Sequence, residues 1–179
     1  FHKFGASLDP KQIEKCDPYV TINNRRKQSE FKVRRRIMSS FKNAEAGIIV
    51  DKLIKTIQEQ RDYLSEIDGK IGDGDHGINM NKGFTMCEEK LKGQTYNMSE
   101  GLCTLGETLL EDIGGSMGPL YGLLFDELSA ASEDKDEIDA EVFGEMISGA
   151  VEGIQEISPA KVGDKTLLDT LIPAKDAFM

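Results

Sequence analysis

The sequence predicts an all-α fold in which antiparallel helices pack side by side, and three observations support this. Apolar residues recur at helical spacing in most segments after residue 46. Short glycine- or proline-containing breaks separate these segments, so neighbouring helices are expected to be antiparallel. No segment shows the sustained alternation of β-branched residues that indicates a strand.

The predicted helices follow one another along the chain, each with one apolar face. They cover residues 47–64, 79–91, 102–113, 119–128, 142–157 and 166–172. Pro119 opens the fourth helix, because proline is well tolerated in a first helical turn. The fifth helix has the longest amphipathic pattern, and an acidic loop over residues 132–139 precedes it. Pro173 is predicted to stop or kink the last helix.

Composition excludes several classes of protein. The 179 residues are 39% hydrophobic and 30% charged, which is typical of a soluble globular domain. No apolar run is long enough for a membrane helix, so no membrane partner is expected. Cys16, Cys87 and Cys103 are odd in number and far apart. Their pattern argues against a disulfide framework or a zinc ribbon and favours a reducing, cytoplasmic location.

The net charge of −10 is unevenly distributed along the chain. Residues 1–37 hold ten of the 22 basic and four of the 32 acidic residues, a net charge of +6. Residues 38–179 hold the remaining 12 basic and 28 acidic residues, a net charge of −16. Such an acidic body excludes nucleic acid as a partner and suits a protein that holds cations or meets a basic partner.

The first 37 residues are predicted to form a basic leader, flexible or non-native, outside the folded domain. They contain Arg25–Lys27 and Arg34–Arg36 but no sustained apolar period. A nucleic-acid-binding arm is the alternative interpretation. Because Met38 resembles a natural start and the acidic body begins after it, the domain is assigned to residues 38–179.

The strongest chemical signal is the segment 68–77, in which three aspartates, one histidine and four glycines occur within ten residues. Glycines let the chain turn sharply and bring the carboxylates of Asp68, Asp73 and Asp75 together, which favours a cation between them. A calcium loop starting at Asp73 is excluded, since its twelfth position is Phe84 instead of glutamate. Zinc is excluded by the lack of a second histidine or a nearby cysteine, which leaves Mg²⁺. The alternative is a solvated Gly/Asp turn.

Two further segments place small and polar residues at helix starts. Residues 114–119 are glycine-rich and precede an apolar helix, an arrangement that binds anions, although they match neither a Walker loop nor a dinucleotide fingerprint. Residues 162–167 have the same character but are typical of a simple helix cap. Each segment alone could be an ordinary turn. Together the three segments predict a magnesium–nucleotide site at one end of a helical bundle.

The residues 71–84, 113–122 and 163–166 resemble, in order and spacing, the nucleotide-binding L subunit of bacterial dihydroxyacetone kinases. This subunit is also fused into single-chain ATP-dependent kinases. The resemblance extends from about Val50 to Ala174. It implies an up-and-down, antiparallel barrel of eight helices with the nucleotide at one rim.

The resemblance also implies specific ligands. Two Mg²⁺ ions would be held by Asp68, Asp73 and Asp75. The nucleotide, ADP or ATP, would contact His76, Gly77, Asn79, Gly115, Ser116, Met117, Ser158 and Leu167. In stand-alone members, ADP remains bound and carries a phosphoryl group from the phosphotransferase-system M subunit to dihydroxyacetone on a K subunit. No residue is assigned a catalytic role, and activity as a phosphotransferase is expected only with the partner subunits.

Two other functions remain open at this point. One is an ATP-dependent dihydroxyacetone or short-sugar kinase with exchangeable ATP, and the other is a non-catalytic nucleotide-binding or regulatory protein of the same fold. Departures from the family pattern motivate the second alternative. Ser116-Met117 stands where the family commonly has Ala-Ser, and Ser158 stands where it has glycine. The family pattern also continues beyond Met179, so the C-terminal part of the barrel is expected to be missing after about six helices.

Overall fold

Seven α-helices occur in residues 39–179, the part of the chain that the computed structural model describes. The prediction of a basic leader over residues 1–37 lies outside the described residues. A two-stranded ladder and one 3₁₀ turn, Asn43–Glu45, complete the secondary structure of the described part. In chain order the elements are β1 (Phe41–Lys42), α1 (Ile48–Glu59), α2 (Arg61–Asp68), α3 (His76–Leu91), α4 (Met98–Asp112), α5 (Met117–Ala130), β2 (Glu137–Ile138), α6 (Ala140–Ile157) and α7 (Leu168–Phe178).

The predicted all-α fold is confirmed, but several helix boundaries differ from the prediction. The first predicted helix is two helices, because α1 ends at Glu59 and α2 begins after Gln60. Most other helices begin earlier than predicted, and two of them, α4 and α6, have side-chain caps at their starts. Asn97 and Glu100 form a reciprocal capping box at α4, and the Asp139 carboxylate accepts two backbone N–H groups at the start of α6.

Pro173 does not stop the last helix, so that part of the prediction is wrong. Helix α7 continues through Pro173 to Phe178. The helix loses one backbone hydrogen bond there, because proline has no N–H group. Its far end is held by packing, since the rings of Phe143 on α6 and Phe178 meet edge to face at 5.3 Å.

The predicted acidic loop contains a short strand that pattern analysis did not find. Strand β2 pairs with β1 in antiparallel register, with Phe41 opposite Ile138. Ile138 is fully buried although residues 133–137, which precede it in the loop, are exposed. Two residues are too few to show a period of two, so the pairing only becomes visible in the folded chain.

Contacts between helices establish the up-and-down arrangement. Gly118 lies against Ile113, and Gly122 lies against Leu110, so α4 and α5 run in opposite directions. Consecutive helices pack against each other from α2 to α7, while α1 packs against α3 and α4. Alternate loops therefore lie at the same end of the bundle. The end formed by the loops 69–75, 113–116 and 158–167 is named here the loop end.

The opposite end of the bundle is closed by a buried polar network. The Asn43 amide donates to Ser99 Oγ at 2.8 Å and to the Ser132 carbonyl at 2.9 Å, and its oxygen accepts from the Ser99 N–H group. Between the two ends lies an apolar core centred on Phe84, Leu105 and Leu109. None of the helices within residues 39–179 is long and apolar enough to span a bilayer.

Candidate functional site

Three carboxylates converge in the loop between α2 and α3, as the sequence predicts. Asp68 is the last residue of α2, Asp73 lies in the loop, and Asp75 precedes the first residue of α3. One oxygen from each of these carboxylates lies within 4.8 Å of the others. Gly74 adopts a left-handed conformation with φ of 78°, which an L side chain disfavours. The glycine pattern therefore produces the turn that brings the acids together.

Hydrogen bonds from the start of α3 hold the carboxylates in place. The His76 N–H group donates to Asp68 Oδ2, and the Asp75 N–H group donates to Asp73 Oδ1, both at 3.3 Å. The Asn79 amide donates to Asp75 Oδ2 at 2.8 Å from one helical turn further on. The positive end of the α3 dipole also lies beside these negative charges. Asn79 thus orients a carboxylate in addition to any contact with a ligand.

The chemistry of this loop fits a hard divalent cation. All three donors are oxygens, and Asp73 and Asp75 are exposed while Asp68 is half-buried. No lysine or arginine of residues 39–179 forms an ion pair with any of them. Mg²⁺ is typically held by a few carboxylates and completes its shell with water and phosphate oxygens. The described residues therefore suit Mg²⁺, whose remaining coordination positions would be filled by water or phosphate oxygens.

The start of α5 is open and rich in glycine. Gly115 has a φ of 74°, and Ser116 is exposed and does not cap the helix with its side chain. Met117 is the first helical residue and its side chain packs against the apolar core. Met117 can therefore serve a ligand at this helix start through its backbone N–H group and not through its side chain. A helix start with free backbone N–H groups favours an anion.

An aromatic contact joins the carboxylate loop to α5. The His76 imidazole meets the Tyr121 ring edge to face, with ring centroids 5.9 Å apart and an interplanar angle of 63°. This contact brings the start of α3 close to the first half of α5. Tyr121 was not identified from the sequence, because its partner lies on another helix and no local pattern marks such a pair.

Gly77 has a structural reason to be glycine. It is buried, and a Cβ atom there would overlap the Arg61 carbonyl oxygen and lie 2.8 Å from the Ser65 nitrogen. The start of α3 therefore touches the backbone of α2 directly. This close approach fixes Asp75 and His76 on α3 relative to Asp68 on α2.

The third predicted segment, residues 162–167, lies in the loop between α6 and α7. Ser158 ends α6, and its Oγ accepts from the Ala160 N–H group at 3.3 Å. Leu167 precedes the first residue of α7 and is half-buried. The chain order places this loop at the loop end, but no hydrogen bond or ion pair of the described residues joins it to the carboxylate loop. The structure thus leaves the contacts of Ser158 and Leu167 with a nucleotide as predictions.

Asp169 organises this third loop and was missed in the sequence. Its carboxylate accepts from the backbone N–H groups of Gly163 at 2.7 Å and Thr166 at 2.8 Å. Both bonds stabilise the ionised carboxylate and lower the pKa of Asp169, and the bond from Thr166 has the larger effect. The spacing Thr166-x-x-Asp169 is a capping-box signal that could have identified it.

Known proteins are similar to this chain in sequence. Residues 70–179 match the DAK2 domain family. The chain is 40% identical over 119 residues to the ADP-binding subunit DhaL of the PTS-dependent dihydroxyacetone kinase of Lactococcus lactis, covering 66% of this chain and 59% of that protein. It is 36% identical over 123 residues to the ADP-binding subunit DhaL of PEP-dependent dihydroxyacetone kinase 1 of Listeria innocua, covering 68% and 62%. The chain therefore spans about three fifths of the length of these curated relatives.

A solved structure supports the fold as well. The crystal structure of the dihydroxyacetone kinase from C. freundii, in complex with AMP-PNP and Mg²⁺, matches with a TM-score of 0.62 and 25% sequence identity. The match covers 78% of this chain and 26% of that kinase. The helical arrangement described above is thus also found in a protein that holds a magnesium–nucleotide complex.

Proposed function

The chain belongs to the DAK2 domain family, and on that premise we propose that residues 38–179 form a magnesium–nucleotide-binding domain of a dihydroxyacetone-type kinase. The observation that carries the proposal is the convergence of Asp68, Asp73 and Asp75. Their oxygens lie within 4.8 Å of one another, and no lysine or arginine of residues 39–179 forms an ion pair with them. Carboxylates arranged in this way repel one another unless a cation lies between them. Two divalent cations would give the cluster an excess of positive charge, which a phosphate-bearing ligand would neutralise.

Asp68, Asp73 and Asp75 would hold two Mg²⁺ ions, whose role when bound is to neutralise the charge on the nucleotide phosphates. Backbone N–H groups of Gly115, Ser116 and Met117 would bind the phosphates at the start of α5. This division suits phosphoryl transfer, which depends mainly on positioned phosphates and neutralised charge.

The remaining nucleotide contacts would come from two places at the loop end. His76, Gly77 and Asn79 lie at the start of α3, beside the carboxylates, and would flank the phosphates. Ser158 and Leu167 lie at the two ends of the α6–α7 loop and would flank the adenine and ribose. These assignments are supported by the shared position of the loops at one end of the bundle.

We further propose that the bound nucleotide is ADP, acting as a phosphoryl carrier. The relatives from L. lactis and L. innocua are named as ADP-binding subunits of PTS- or PEP-dependent dihydroxyacetone kinases. By analogy, this chain would accept a phosphoryl group from a phosphotransferase-system M subunit and deliver it to dihydroxyacetone on a K subunit. It would act as a phosphotransferase only within that complex.

An exchangeable ATP is the second candidate. The structural match holds AMP-PNP, an ATP analogue, and another relative is the D-erythrulose kinase of Mycolicibacterium smegmatis, 30% identical over 129 residues. Gel filtration of the purified protein in buffer without nucleotide distinguishes the two. ADP that remains bound at one equivalent supports the carrier, whereas complete loss of ADP with full rebinding of ATP supports exchange.

A thermal-shift experiment tests the magnesium–nucleotide site itself. Mg-ADP at 100 times its dissociation constant should stabilise the protein by about 2.7 kcal/mol, and EDTA should reverse the gain. Asp73→Asn and Asp75→Asn should each abolish the shift while leaving the helix content unchanged. An unchanged melting curve of the wild type at saturating Mg-ADP would contradict the proposal.

Asp62→Asn is the matched control for these variants. Asp62 lies on α2 close to the loop in sequence, but its side chain is 95% exposed and is not part of the carboxylate cluster. The variant removes the same charge, so its melting temperature should still rise with Mg-ADP as in the wild type. If Asp62→Asn loses the shift together with Asp73→Asn, the effect reflects general charge and not coordination.

A further inference from the structure

The side chain of Tyr121 is held in a defined direction by the glycines around it. Gly122, the next residue, faces α4, where a Cβ atom would lie 2.5 Å from Leu110 Cγ and 3.0 Å from the Gly106 carbonyl oxygen. Gly118, one turn earlier, likewise lies against the Ile113 carbonyl oxygen. Helix α5 therefore cannot rotate without breaking its contact with α4. In this fixed orientation of α5, Tyr121 is directed away from α4 and towards the start of α3.

His76 is tethered at two points. Its backbone N–H group donates to Asp68 Oδ2 at 3.3 Å. Its imidazole ring and the Tyr121 ring lie edge to face, with their centroids 5.9 Å apart. Asp75 directly precedes His76 in the chain. A displacement of His76 thus changes the positions of Asp68 and Asp75 relative to each other.

The environment of Tyr121 suits an apolar packing role. The residue is half-buried and packs against the apolar core, and burial raises the pKa of its phenol, which keeps it neutral. Aromatic pairs in edge-to-face geometry stabilise a contact beyond the area they bury. The Tyr121 ring is therefore suited to fix the direction of the His76 imidazole.

We propose that Tyr121 is a positioning residue of the magnesium–nucleotide site, which acts by fixing His76 and, through it, the carboxylate loop. The inference rests on the proposed function, and it assigns to the α5 residue a role that lies outside direct contact with the metal or nucleotide. It also explains how the start of α5 and the carboxylate loop keep fixed positions relative to each other.

Two substitutions at Tyr121 separate the ring from the hydroxyl group. Tyr121→Phe keeps the ring contact with His76 and should bind Mg-ADP as the wild type does. Tyr121→Leu keeps an apolar side chain without a ring and should weaken Mg-ADP binding about tenfold, the loss expected for one aromatic pair. Isothermal titration calorimetry with Mg-ADP, carried out below the melting temperature of each variant, measures both affinities.

Phe125→Leu is the matched control. Phe125 lies one turn further along α5 and meets Phe84 of α3 edge to face at 5.8 Å, so it joins the same two helices away from the loop. Phe125→Leu should lower the melting temperature and leave the Mg-ADP affinity unchanged. If Phe125→Leu weakens binding as much as Tyr121→Leu, the effect is general packing and the inference is overturned.

Proton NMR of the ligand-free protein follows the contact independently of nucleotide binding. The chain has two histidines, His2 and His76, so their imidazole resonances are readily assigned. The ring-current shift of His76 should persist in Tyr121→Phe and disappear in Tyr121→Leu. If Tyr121→Leu loses this shift and still binds Mg-ADP like the wild type, Tyr121 does not position the site. If the wild type itself does not bind Mg-ADP, the proposed function fails instead.

Discussion

Replacing Gly77 by alanine should disrupt the site by separating two helices while the protein remains folded. The new Cβ atom would overlap the Arg61 carbonyl oxygen and lie 2.6 Å from Ser65 Oγ. Ordinary contacts of a Cβ atom begin near 3.4 Å. Helix α3 must therefore move away from α2, and a shift of roughly 1 Å is enough to damage a binding geometry.

The magnitude of this effect follows from two opposing contributions. Overpacking typically destabilises a protein by about 1–3 kcal/mol, whereas a change from glycine to alanine within a helix stabilises it by about 1 kcal/mol. The net loss should be about 0–2 kcal/mol, which most domains tolerate. The shift moves His76 away from Asp68, so the affinity for Mg-ADP should fall by a factor of ten or more, or about 1.4 kcal/mol.

Calorimetric titration with Mg-ADP and a urea denaturation curve measure the two effects. Gly149→Ala is the matched control, because it makes the same change within α6. The nearest atom to its new Cβ would be Glu127 Oε2 at 3.6 Å, an ordinary contact. This control should bind Mg-ADP normally and be slightly more stable. Wild-type affinity in Gly77→Ala would refute the argument that this contact fixes the site.

Two further predictions concern stability. Asn43→Ala should cost about 3 kcal/mol in urea denaturation, because it leaves buried partners of Asn43, including the Ser99 N–H group, without hydrogen bonds; a loss below about 1 kcal/mol would contradict this. The pKa of Glu127 is raised above the usual 4.5, first by burial and then by the negative charges of Asp126, Glu156 and Glu152. Ionisation of Glu127 therefore destabilises the fold as the pH rises through its pKa. Glu127→Gln should therefore stabilise the protein at pH 7 by roughly 0.5 kcal/mol and not at pH 4; an equal gain at both pH values would exclude the charge as its cause.

Local patterns were sufficient to predict much of the fold and part of the site. Amphipathic periods located the helices, because each helix buries one face against its neighbours. The spacing of Asp68, Asp73 and Asp75 between glycines predicted a carboxylate cluster, since the whole loop lies within ten residues. Helix starts were less well predicted, because a first turn such as Asn97–Glu100 holds a single apolar residue, Met98, and is too short to show a period.

The sequence alone determined the all-α fold and the residues of the carboxylate loop, whose geometry depends on neighbours in the chain. Only the tertiary structure decided that Tyr121 meets His76, that Gly77 must lie against Arg61, and that β1 pairs with β2. Each of these contacts joins residues from different elements, and its formation depends on the rotation and crossing of whole helices. The packing of the complete core sets these rotations and crossing angles, and no local pattern in the sequence specifies a single pair of contacting residues.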